Sequence, residues 1–473
     1  MVAGGEGGAQ AEGPSRWLCD VAVAAVIVAF YSPVLGFSLV FDDLSLIAEQ
    51  GPVPLGGDWL PYRPLRYLSL WFDHIIGGGR VWVYHLDNLF LHAAVSVLVA
   101  RIARRLGAGA AAAAMAALFF AVHPLTVEVV AYVSGRRDLL ATFFGMAALA
   151  AWINPRGLSV WATAFFIAAV AAKESALAFA AVLALASASG LGPRPGKAWP
   201  VLAPALAAAV TLVVAYGARG PLATVLSYQG LSTAGRMACH YGLSIIWPAG
   251  LSADYPALHL ATASPASALA AVALAAAAAF SVWLASKRRA AFFALAWLAL
   301  VALVTVSVVA MHEPGADRHA YPALAALAVF LALLASSPRR LASSSGPFVL
   351  AALALLLSSV GWQRLPVWKD QGTLWAATAS QSPASARAHL NLASLLSAGG
   401  AVAHARAHLR SALATDRAYL PAHLGLAALA CSQGQKGRAR LRLKRARRLG
   451  GSSEHLAAVM RLCSQASAKV QGQ

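Results

Sequence analysis

Apolar residues fill most of the first 365 positions in long blocks, each closed by a short polar or basic interval. A bilayer-spanning helix needs about 20 largely apolar residues. On that criterion the chain predicts spans near 17–36, 81–100, 107–122, 138–153, 158–172, 175–190, 200–216, 266–285, 290–310, 321–336 and 346–362. That is about eleven spans. The stretch 234–250, "AGRMACHYGLSIIWPAG", is only moderately apolar and is broken by Pro248. It reads as a twelfth span, or as a re-entrant or interfacial helix.

After about residue 365 the pattern changes from continuous apolar runs to amphipathic helices that repeat. "AHLNLASLLSAGG" begins at Ala388 and "AHLGLAALACSQG" at Ala422, an offset of 34. That is the period of tetratricopeptide repeats. Leu390, Leu392 and Gly400 recur as Leu424, Leu426 and Gly434. The expected fold class is therefore all-α: a polytopic membrane bundle followed by a short tetratricopeptide-type α-solenoid. Residues 1–16 read as a flexible polar N-terminus, 17–365 as the membrane domain and 366–473 as the repeat domain. The alternative for the last is a generic helical bundle.

Composition agrees with the membrane reading. Charged residues are 12% of the chain and hydrophobic ones 59%, whereas soluble chains carry about 25% charged residues. The net charge is +19, and over the first 365 positions the basic residues fall in short clusters between apolar runs. That placement indicates topology and makes nucleic acid an unexpected partner. "RIARR" at 101–105, Arg156, Arg194 with Lys197, "KRR" at 287–289 and Arg339–Arg340 all fall on one face if 234–250 does not cross. By the positive-inside rule that face is cytoplasmic, so the N-terminus is inside and the C-terminus outside. The four cysteines, Cys19, Cys239, Cys431 and Cys463, form no CxxC. Nothing in the sequence calls for a metal or an organic cofactor.

The other face gathers the acids. "FSLVFDDLS" places Asp42 and Asp43 at the lip of the first span, followed by Glu49, Asp58 and Asp73 in one long loop with Arg63 in "YRPL". His85, Asn88 and His92 share one face of the next helix at spacings of three and four. His85 and His92 lie about 10 Å apart along the axis, too far for one metal. The second outer loop, "HPLTVEVVAYVSGRRDLL", supplies His123, Glu128, Arg136, Arg137 and Asp138. Lys173 and Glu174 in "KES", Asp254 and Tyr255 in "WPAGLSADYP", and Arg318 and His319 in "DRHAYP" join the same face. The bland readings are solvated loops, local ion pairs and a helix start capped by Asp138. Carboxylates can instead activate a hydroxyl nucleophile, and arginines bind and neutralise a phosphate. Together these point to transfer from a lipid-linked phosphate presented at the outer face.

At these motifs, and at "YHLDNLFLHA" and "VWKDQGTLW", the sequence resembles the transmembrane and tetratricopeptide-repeat O-mannosyltransferases of the GT-C glycosyltransferase fold and their bacterial relatives. The resemblance implies an inverting transfer of a sugar, commonly mannose, from polyprenyl or dolichyl phosphate to a protein hydroxyl. It implies that one of Asp42 and Asp43 is the catalytic base. It carries Glu128, Asp138 and Arg137 onto the second-loop motif, with Arg136 the extra residue, and Arg318 onto a later element in which His319 replaces an aromatic. Arg63, His85, His123, Lys173 and Glu174 complete the expected substrate-binding set. The expected setting is a bacterial inner membrane with a periplasmic site and repeats, or the endoplasmic reticulum in a eukaryote. The expected partners are membrane lipid, the lipid-linked donor and an acceptor protein or peptide held by the repeats. Competing functions are the same fold acting on a lipid or glycan, a transporter, and a non-catalytic scaffold displaying the repeats. A transporter should carry its charges near mid-span, which this pattern does not show.

Overall fold

The computed structural model describes residues 14–48, 63–154, 159–193, 203, 207, 228–259, 288–309, 315–336 and 345–471. Spans expected at 200–216 and 266–285, and the loop acids Glu49 and Asp58, lie outside the described residues, as does most of the N-terminus expected at 1–16. Every regular element among the described residues is helical. The chain divides into two units: 1–249 with 261–369, and 250–260 with 370–473.

In the first unit the apolar runs become α1 (Pro14–Tyr31), α2 (Pro64–Gly77), α3 (Val81–Arg105), α4 (Ala110–Val122), α5 (Val127–Ala131), α6 (Arg136–Trp152), α7 (Ser159–Ala172), α8 (Ala178–Ala188), α9 (Tyr228–Ile246), α10 (Arg289–Val309), α11 (Tyr321–Ala335) and α12 (Ser345–Arg364). Four helical stretches are long and apolar enough to cross a membrane: Trp17–Gly36, Val81–Arg105, Asp317–Ala335 and Ser345–Trp368. Ala110–Val122 and Pro124–Ala131 form a fifth, bent by 56° where Pro124 interrupts the chain. α7, α8 and part of α10 are apolar but shorter. The stretch 234–250, read as broken at Pro248, is helical within α9 as far as Ile246.

Small residues let these helices approach closely, the usual packing device in a membrane. A Cβ on Gly361 of α12 would lie 2.7 Å from the Val122 carbonyl oxygen of α4, and one on Gly145 of α6 would collide with the Phe179 ring of α8. α2 went unread in the hydropathy pattern because it is amphipathic. Arg66, Tyr67, Leu70, Asp73 and Gly77 are buried, while Leu68, Phe72, Ile75 and Ile76 are exposed. That outward stripe suits a helix lying at a bilayer interface.

The second unit contains α13 (Gln371–Gln381), α14 (Ala386–Ala398), α15 (Val402–Thr415), α16 (Leu420–Ser432), α17 (Lys436–Arg448) and α18 (Ser453–Gln471). Asp370 opens α13 with a reciprocal capping box to Thr373. α14 pairs with α15 and α16 with α17. Leu409, Ala412, Ala422 and Leu426 join the hairpins into one core. The 34-residue period reaches the side chains. The rings of His389 and His423 each meet the carbonyl oxygen six residues upstream, of Pro383 and Arg417, through Nε2. Each turns Nδ1 to the next helix, toward His408 and Arg442. Asp254 belongs to this unit, where it accepts from the hydroxyl of Ser385, the N-cap of α14, at 2.6 Å. Cys431 and Cys463 form a disulfide between α16 and α18.

Candidate functional site

The end of α1 shapes the first half of the site. A 3₁₀ turn at Ser32–Gly36 closes the helix, and the chain then reaches Phe41, which has a positive φ of 55°. A bulky residue is costly there, by about 1–3 kcal/mol, and the turn it makes separates two adjacent carboxylates. Asp43 is fully buried. It accepts the backbone N–H groups of Ser134 at 2.7 Å, Val133 at 3.2 Å and Val40 at 3.4 Å. Burial pushes its carboxyl up to about 6, although those hydrogen bonds pull the other way. Asp42 is half-buried, and its carboxylate makes no hydrogen bond or ion pair with the described residues. Its main chain is engaged instead, the carbonyl accepting from Leu46 N–H and the Ser45 hydroxyl.

The second half comes from the tight path between α5 and α6. Gly135 permits it: a Cβ there would lie 2.6 Å from the Val129 carbonyl oxygen. Tyr132 is buried within this path, flanked by Phe41 and by Trp368. Its hydroxyl has no hydrogen-bond partner among the described residues, and it lies within the fields of Asp43, Asp42, Arg318 and Arg137. Lys369, beside Trp368, accepts the Ser38 N–H at 2.9 Å. The "VWK" motif thus holds the Asp42–Asp43 loop from behind.

Three ion pairs tie the loops at this end of the helices together. Arg63, itself at φ 62°, grips Glu174 with two hydrogen bonds of 2.7 and 3.0 Å. Lys173 meets Asp138 at 2.5 Å, and Arg318 meets Glu128 at 2.5 Å. The Arg318 guanidinium also lies over the Tyr132 ring, 5.6 Å from its centroid. Asp138 is shared, with Arg137 at 3.6 Å. Arg66 of α2 joins them from the other side. It is buried and donates to the Ser134 hydroxyl at 3.3 Å, while its Nε has no partner among the described residues. No described carboxylate pairs with it. Burial, and next the charge of Arg137, lower its guanidinium to about 10, so it stays charged at neutral pH.

The expected residues therefore divide. Arg137, Asp138, Lys173, Glu128, Arg318, Arg63 and Glu174 are engaged in ion pairs, Asp43 is held by backbone N–H groups, and the Asp42 carboxylate has no such contact with the described residues. Arg136 stands apart as a buried strut, donating to Asp73 at 2.8 Å and to Asn88 and the Tyr84 carbonyl, and pairing with Asp87 at 2.6 Å. His85 is buried with its ring toward the Phe37 backbone. His92 bonds Tyr321 and the Ala121 carbonyl, and His123 bonds Ile245 and Leu125. His92 and His123 thus brace helices, whereas neither ring nitrogen of His85 has a hydrogen-bond partner among the described residues. Among the described residues, no group of three His, Cys, Asp or Glu could hold a metal ion. The residues missed from the sequence are Arg66, Ser134 and Tyr132. Arg66 lies one helical turn from Arg63 in "YRPLRY", the only signal it offered.

Over about a quarter of its length the chain is similar to proteins named protein O-mannosyl-transferase. It is 40% identical to TMTC2 of Mus musculus over 114 residues, 24% of this chain and 14% of that protein. It is 33% identical to TMTC4 of Homo sapiens over 164 residues, 28% of this chain and 22% of that protein. It is 29% identical to Tmtc3 of Drosophila melanogaster over 218 residues, 35% of this chain and 23% of that protein. The similarity thus spans less than a quarter of these relatives' own lengths. No family model matches the chain, and no solved structure matches it.

Proposed function

We propose, from its likeness to the TMTC protein O-mannosyl-transferases and from the charges at its site, that this chain is a membrane glycosyltransferase. It moves a sugar, mannose in the leading reading, from a polyprenyl or dolichyl phosphate to a protein hydroxyl. The observation that carries this reading is a buried cation, Arg66, that pairs with no described carboxylate and sits at the Ser134 turn that Asp43 fastens. Arg66 donates to the Ser134 hydroxyl, Arg137 follows that turn at the start of α6, and the Asp42 carboxylate makes no hydrogen bond or ion pair with the described residues. Arg66 Nε and the Tyr132 hydroxyl are donors with no acceptor among the described residues, which suits a phosphate.

In this mechanism Asp42 takes the proton from the acceptor hydroxyl. The oxygen attacks the anomeric carbon, and the bond from that carbon to the phosphate oxygen breaks. The phosphate keeps the electron pair, and Arg66 and Arg137 stabilise its charge. A single displacement inverts the anomeric centre. Asp43 positions the loop. Arg318, Lys173 and Arg63 hold its walls through their acid partners.

The repeat unit is read as two tetratricopeptide-type hairpins that present acceptor polypeptide, as helical arrays with concave faces do. The Cys431–Cys463 disulfide favours an oxidising compartment for that unit, in keeping with a C-terminus outside the cytoplasm. In a bacterium the site and repeats face the periplasm, and in a eukaryote the lumen of the endoplasmic reticulum. Purified membranes containing the chain, given radiolabelled polyprenyl-phosphate mannose, should pass label to protein that is sensitive to β-elimination. Label confined to lipid or glycan would move the acceptor class, and no transfer from any polyprenyl-phosphate sugar would end the reading.

A further inference from the structure

α17 carries eight Lys or Arg among its thirteen residues. Lys436, Arg438, Arg440, Lys444, Arg445, Arg447 and Arg448 are exposed. Ala439 and Ala446, seven residues apart, fix the buried face. On the opposite face Leu441 is 68% exposed, with Lys444, Arg445 and Arg448 around it at helical spacing. Among the described residues no carboxylate lies within ion-pair distance of these cations. Residues 370–473 contain only Asp370, Asp416 and Glu454 as acids, against fourteen Lys and Arg. Like charges at four-residue spacing, such as Arg440, Lys444 and Arg448, destabilise a helix. A fixed cationic face of this density therefore favours an anionic partner.

We propose that this face docks on anionic phospholipid headgroups at the surface of the membrane that the same chain spans. Charge complementarity is the first ground. Clusters of four to eight Lys or Arg on an amphipathic helix attract anionic lipid, each contributing about 1 kcal/mol near the surface. The tether is the second. The apolar stretch Ser345–Trp368 ends two residues before Asp370 opens the unit, so the unit is tethered to the membrane which that stretch is long enough to cross. The apolar centre is the third. Leu441 here, and Met460 and Leu462 exposed on the adjoining α18, suit a headgroup region better than a soluble polyanion. Docking would hold the repeats beside the membrane, independently of whether the first unit transfers sugar.

The test uses the full chain with Leu441→Cys carrying an environment-sensitive fluorophore, in a Cys19→Ala, Cys239→Ala background that retains the disulfide. The chain is placed in nanodiscs of phosphatidylcholine alone or with about 30% phosphatidylglycerol, near the natural range of surface charge. The expected result is a blue-shifted, brighter emission only with phosphatidylglycerol, lost in 1 M salt, where the Debye length is about 3 Å. Replacing Arg440, Lys444, Arg445 and Arg448 with Gln should weaken docking by several hundredfold, on the order of four such contributions. Helix content and the disulfide should be unchanged. Identical spectra in the two discs, or a shift indifferent to salt, would overturn the proposal. So would a larger shift in phosphatidylcholine discs on adding poly-glutamate or duplex DNA. If the quadruple variant does not fold, the lipid and salt comparison on the unaltered helix still decides.

Discussion

The backbone N–H of Ser134 donates to the Asp43 carboxylate at 2.7 Å, which fastens the loop after the first span to the turn before α6. Burial raises the Asp43 pKa to about 6 in the folded chain, against an ordinary value near 4. Ionising it therefore opposes folding. The stability it contributes is fully present below about pH 4 and is lost as pH rises through about 6. Asp43→Asn removes that titration. In detergent, thermal unfolding of the native chain and this variant should be compared between pH 4 and 7. The native chain should lose stability relative to the variant across that window, by up to about 3 kcal/mol. A constant difference would show that Asp43 does not titrate there.

Two of the buried arginines, Arg66 and Arg318, should fail differently. Arg66 has no carboxylate partner among the described residues, so Arg66→Ala should leave the fold intact and weaken the donor. A charge-assisted contact is worth about 1.5–3 kcal/mol, a roughly ten- to hundredfold rise in the donor KM. Arg66→Lys should rescue part of it, because an ammonium cannot reproduce the guanidinium fork. Arg318→Ala instead strands Glu128 in a buried site and should cost about 3–5 kcal/mol of stability. An unchanged donor KM in Arg66→Ala would move the phosphate elsewhere.

Gly135→Ala should disturb the site without touching a charge. Its Cβ would fall 2.6 Å from the Val129 carbonyl oxygen. Overpacking of this kind costs about 1–3 kcal/mol, and the shift would move the N–H groups that hold Asp43. Lower melting temperature together with lower turnover is expected. Full activity would mean that the 133–135 turn does not set the site.

Much of this was legible along the chain. The described long spans follow from apolar length, as in α3 and α12, and the 34-residue offset reappears in the matching contacts of His389 and His423. α2 was hidden because its apolar residues form a stripe on one side, not a run. Arg136 read as a site cation in "SGRRD". Its partners Asp73, Asp87 and Asn88 come from other helices, so no local pattern distinguishes it from Arg137. Asp254 read as one of the acids of the outer face, and its partner Ser385, more than a hundred residues away in the second unit, had no local signal. Local spacing identifies charges and helix faces. Which charges neutralise one another depends on tertiary pairing.

The central claim is that Asp42 is the base, and Asp42→Asn tests it most directly. The substitution keeps the shape and removes the basicity. General-base catalysis contributes typically 10²- to 10⁴-fold. Transfer from polyprenyl-phosphate mannose should fall by about that factor, while donor binding, thermal stability and membrane insertion stay as in the native chain. Near-normal transfer by the Asp42→Asn chain would contradict it.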